Sequence, residues 1–135
     1  MEFVSKTINT FRNYPINNDY SKTSTMNRKF DSNFNIVAIN GSLDAVTSEQ
    51  AKQEILAKMT RSDSVFIDMS GCRHISNYGI YFLSMLMTKA KLLNVKLVFI
   101  SIIDEISELL SLTGIIENME SAPSIEAALR KYALN

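Results

Sequence analysis

The chain has 135 residues, enough for one domain with a substantial core, and its 14 Lys and Arg balance its 14 Asp and Glu. That balance gives no net charge to draw it to nucleic acid or to an anionic membrane surface. A single cysteine, Cys72, excludes an internal disulfide and fits a reducing compartment.

Residues 1–25 are rich in Asn, Ser and Thr, contain Pro15 and carry no sustained period. They read as a polar, flexible extension. Phe3, Val4, Ile8, Phe11, Tyr14, Ile16 and Tyr20 leave a binding arm as the alternative. The start lacks the basic residues and continuous apolar run of a signal peptide. No later stretch reaches the roughly 18 apolar residues of a membrane span, so a cytoplasmic protein without direct membrane insertion is expected.

From Met26 the pattern sharpens into a domain over 26–135. "MNRKF" and "FNIVAIN" read as two short strands joined by a polar turn. A helix follows, with Ala51, Ile55 and Met59 at helical spacing and a start near Thr47 or Ser48, either of which can cap it. "SVFIDMS" is a buried strand, "RHISNYGIYF" leads into a second helix, and "VKLVFIS" is another buried strand. "DEISELLSLTG" is a helix with acidic residues in its first turn and Gly114 past its end. "IIENM" suggests a short final strand, and "APSIEAALRKYAL" a last helix. Alternation of this kind predicts an α/β fold: a mixed sheet of about four to five strands with right-handed crossovers and about four helices.

In the second helix, Ile80, Leu83, Met87 and Ala90, widened by Leu86, form the stripe expected to face the core. Tyr78, Tyr81, Met85 and Thr88 fall on the other side, a composition suited to partner binding or self-association. Cys72 and His74 lack the further ligands of a metal site, and the pair lacks catalytic spacing. No Gly-rich phosphate loop appears, so no cofactor is expected.

Three stretches in order carry a family resemblance. They are Gly41, Leu43 and Asp44 after a strand; the D-x-S-G of Asp68 to Gly71, with Gly79 and Ile80 beyond it; and L-T-G followed by a helix containing S-x-E-x-A-L. Together they resemble the STAS family, whose best-known members are bacterial anti-sigma factor antagonists. The resemblance implies a STAS fold and a non-enzymatic regulatory module in partner-switching control of transcription. Its expected partner is an anti-sigma factor or related serine kinase. In that family the kinase phosphorylates a D-S-[ST]-G sequence and switches binding off. By position the sequence falls on Ser76, Asn77, Tyr78 and Gly79, and only the glycine matches. Asn77 has no hydroxyl for a phosphoryl group, so the usual switch is absent as written.

Ser76 is the remaining candidate for phosphorylation, one position early, and its plainer role is a helix N-cap. The resemblance places partner contact at Asp44 and at residues 76–79, and the outward stripe adds Tyr81 and Met85 on the helix face, with a folded-back N-terminal extension covering that stripe as the alternative. For Asp44 the alternative is fixing its own loop. Asp68 is expected to bond neighbouring backbone. A STAS subunit of a scaffold or membrane-transport complex is the alternative function. A phosphoreceiver domain is set aside, because no acidic pair accompanies Asp68.

Overall fold

The computed structural model describes residues 34–133. Four strands and four helices alternate within them: β1 Phe34–Leu43, α1 Ala45–Thr60, β2 Ser64–Ile75, α2 Asn77–Leu93, β3 Lys96–Ile100, α3 Asp104–Thr113, β4 Glu120–Ala122 and α4 Ile125–Ala128. A π-helical turn over Leu129–Ala133 extends α4. The α/β class holds. All three strand pairs among the described residues are parallel, in the order β1-β2-β3-β4. The strand expected at 26–30, which would make the sheet mixed, and the extension 1–25 lie outside the described residues.

Strand alternation divides the core in two. Val65, Ile67 and Met69 of β2 point to one face, where Ala51, Ile55 and Met59 of α1, Leu83 and Leu86 of α2, and Ile106 and Leu110 of α3 cover them. Phe66, between them in sequence, points to the other face with Ile36 and Val98, under Ile125, Ala128 and Leu129. Three helices thus lie on one side of the sheet and α4 on the other.

Local signals differ from expectation at the start of α1 and after α3. α1 begins earlier than Thr47 or Ser48, because Asp44 caps it. The 115–119 segment forms a 3-10 turn, Ile115–Asn118, and the short strand follows it at Glu120–Ala122. Gly114 is left-handed there, at φ 81°. The reversal it makes leaves Met119 donating to the Ile116 carbonyl at 3.2 Å, a bond of the turn rather than of the sheet.

In α2 the buried residues are Gly79, Phe82, Leu83, Leu86 and Ala90. The buried face is centred on Gly79, so Phe82 turns fully inward while Ile80 and Met87 are only half-buried. The bare Cα of Gly79 lets the first turn of α2 rest on Leu43 and Ile75. That close approach fixes the rotation of the helix.

Candidate functional site

The parallel register sets Leu43 beside Ile75, so two strand–helix junctions lie next to each other at the carboxyl ends of β1 and β2. Two irregularities in the β1–β2 pairing, after Ala38 and after Gly41, precede the junction. Gly41 takes φ 84°, in the left-handed region that favours glycine. The Ser76 N–H then donates to the Leu43 carbonyl at 3.0 Å, tying the start of α2 to the end of β1.

Each junction is capped by its own side chain. Asp44 Oδ1 accepts from the Val46 and Thr47 N–H groups at 3.1 and 3.0 Å. Thr47 Oγ1 accepts from the Asp44 N–H at 2.9 Å and donates to the Ser42 carbonyl at 2.8 Å. The Thr47 N–H, then its hydroxyl, holds the Asp44 carboxyl below the usual carboxylate range. Asp44 therefore fixes its own loop, while staying half-exposed beside the second junction.

Ser76 is the N-cap of α2: its Oγ accepts from the Gly79 N–H at 3.2 Å. Asn77 and Tyr78 follow on the exposed side of the first turn, and Gly79 is buried beneath them. Four of the sequence-predicted residues, Ser76 to Gly79, thus form one edge of the site, with Asp44 across from them. Gly79 is buried and serves through its missing side chain.

The Tyr78 hydroxyl donates to Glu49 Oε2 at 2.8 Å, linking α2 to the first turns of α1. That bond to a carboxylate holds the phenol pKa above its ordinary value. Tyr78 also packs edge-on against Tyr81, with ring centroids 5.7 Å apart. Tyr81 is 61% exposed, whereas Met85, expected to face outward, is half-buried and packs against the main core. Glu49 was missed in the sequence: 29 residues separate it from Tyr78, and no local signal pairs the two.

The remaining candidates have structural surroundings. Asp68 is buried and accepts from the Ser70 N–H at 3.0 Å, as expected of a strand-end carboxylate. The buried Cys72 thiol is pushed up to about 11 by desolvation. His74, two residues on, is exposed. Among the described residues no three His, Cys, Asp or Glu side chains are grouped to hold a metal ion, and no helix is long and apolar enough to cross a membrane.

A family model for the STAS domain matches residues 25–128. The chain belongs to the STAS family. No curated protein sequence matches it significantly. Among solved structures, the STAS domain is similar to RsbS from Moorella thermoacetica, at 24% identity over 73% of this chain and 86% of that one, with a TM-score of 0.65. It is similar to the Bacillus anti-sigma factor antagonist SpoIIAA in its unphosphorylated form, at 14% identity over 74% and 89%, with a TM-score of 0.61. It is also similar to part of the murine anion transporter Solute Carrier 26 family member A9, at 22% identity over 77% of this chain and 18% of that one, with a TM-score of 0.68. At these identities the likeness is one of fold, shared by antagonists and by a domain of a larger transporter.

Proposed function

We propose that this STAS domain is a non-enzymatic docking module of the anti-sigma factor antagonist kind, which binds an anti-sigma factor or related serine kinase in the cytoplasm to regulate transcription. Its contact surface is the paired junction, Asp44 and Ser76 to Tyr78, continued along α2 by Tyr81 and Met85. The observation that carries this reading is the first turn of α2. Asn77 and Tyr78 are presented outward there, on a turn braced from below by Gly79 and from one side by Glu49.

The same turn has no phospho-switch at position 77. Phosphorylation would add close to two negative charges at a helix start, which free N–H groups tolerate but a docked interface cannot desolvate cheaply. Asn77 cannot accept the group, and the Ser76 hydroxyl is engaged as the cap. The domain is therefore competent to bind at all times, under control of its amount or of its partner.

The test is affinity capture from the source cells with the wild-type chain and with Asn77→Asp, followed by mass spectrometry of the captured proteins and of peptide 73–82. Wild type should retain a protein with a serine-kinase-like anti-sigma domain, and Asn77→Asp should retain at least tenfold less. A transporter subunit in its place would move the domain to a membrane-transport complex. Phosphate on Ser76 would overturn constitutive binding.

A further inference from the structure

Beyond the paired junction, α1 and α2 run side by side and leave an open groove of about 440 Å³ between them. Leu56 from α1 and Met85 from α2 are half-buried in its walls, with Tyr81 at one end and Leu92 at the other. Leu92 is 75% exposed, a large apolar side chain held in water. From Tyr81 to Leu92 the groove follows about three helical turns, roughly 16 Å at the rise of an α-helix. A lysine stands on each wall, Lys52 on α1 and Lys89 on α2. Neither has an ion-pair partner among the described residues.

We propose that this groove seats an amphipathic α-helix of a protein partner, with an apolar ridge on Leu56, Met85 and Leu92 and carboxylates on its flanks that meet Lys52 and Lys89. The inference deepens the docking reading and rests on it for the existence of a protein partner. Three observations select this occupant. The groove is shallow, bounded by a helix on each side and about as long as three turns of helix, a shape that matches a single ridge of side chains. Its apolar positions on α2, Tyr81, Met85 and Leu92, recur at intervals of four and seven residues, the spacing a facing helix presents in return. Its charges, unpaired among the described residues, have one sign and lie on both sides, which favours a partner helix acidic on both flanks and disfavours a basic one.

The experiment needs no knowledge of the natural partner. The full chain is used as bait for a displayed library of 18-residue helical peptides, and the recovered peptides are synthesised and titrated by fluorescence anisotropy. Amide chemical-shift mapping then locates them on the domain. The expected peptides carry apolar residues at i, i+3 or i+4, and i+7 with Glu or Asp beside them, and shift the amides of α1 and α2 along the groove. Their affinity should fall at least tenfold in Lys52→Glu/Lys89→Glu, which should prefer Lys-flanked versions of the same peptides. Leu92→Asp, at an exposed position that the fold does not use, should also cost at least tenfold.

The proposal is overturned by recovery of no helical binders, or by peptides that bind the charge-reversed variant equally well. Binding that requires removal of residues 1–25 would assign the groove to the chain's own extension, and overturn it too. So would concentration-dependent dimers broken by Leu92→Asp, or vesicles of phosphatidylserine captured through the two lysines without any peptide binding. Retention of the peptides by Asn77→Asp, alongside capture of no anti-sigma protein from cells, would instead preserve the groove and reject the proposed partner class.

Discussion

Gly79→Ala is the substitution that most directly tests how the site is built. A methyl group at this position would overlap the Leu43 carbonyl oxygen and lie 2.8 Å from Ile75 Cγ1. The opposing effect is helix propensity, which favours Ala over Gly by up to about 1 kcal/mol in a helix interior and by less in the first turn. Overpacking of this kind typically costs about 1–3 kcal/mol, and here one of the two obstacles is backbone, which cannot rotate away. The clash therefore outweighs propensity, and a net loss of about 1–2 kcal/mol is expected. In a domain of this size that corresponds to a melting temperature lower by about 5–10 °C. Urea and thermal unfolding followed by circular dichroism measure it directly. Because the Ser76 N–H to Leu43 bond lies in the same contact, a displaced α2 should also weaken partner capture. A Gly79→Ala variant as stable as wild type, or more so, would refute the close approach and with it the account of why Phe82 faces inward.

Ser76→Ala should cost about 0.5–2 kcal/mol by loss of the cap, and Ser76→Gly only a few tenths, as measured by urea unfolding; a Ser76→Ala variant as stable as wild type would mean that the hydroxyl is not capping. Cys72, buried with its thiol pushed up to about 11, should resist iodoacetamide at pH 8 in the folded chain and react fully in denaturant. The raised pKa of Tyr78 means that its bond to Glu49 contributes to stability below pH 10 and is lost as pH rises through the raised value. Ultraviolet titration of tyrosinate should accordingly show one phenol moved to lower pH by Glu49→Gln and absent from Tyr78→Phe.

Much of the order of elements was legible because each rests on local chemistry. Apolar runs bounded by turn residues marked β2 and β3, acidic residues and a trailing glycine marked α3, and serine before an apolar helix marked the cap of α2. What escaped depended on partners distant in sequence. The rotation of α2 is decided where Gly79 meets Leu43, 36 positions earlier, so periodicity alone put Ile80 and Met87 into the core and left Phe82 out. The Glu49–Tyr78 bond is invisible for the same reason. Asp44 is a different case: its capping pattern, Asp followed three residues later by Thr, is local, but the helix periodicity begins later and drew the start toward Thr47.

These assignments separate residues that the fold requires from residues that it leaves free. Along the first turn of α2, Ser76 is used as a cap and Gly79 as a contact surface, so their identities follow from structure alone. Asn77 lies between them, exposed, and no hydrogen bond ties its side chain to a described residue. A serine at this exposed first helical position would give up no side-chain hydrogen bond to a described residue. The fold therefore gives no reason for asparagine over serine at this position. On the docking reading, an uncharged amide at this position keeps the turn in its binding form whatever kinase is present. The information that a phosphoserine would carry then has to enter elsewhere, through the amount of the chain or through its partner.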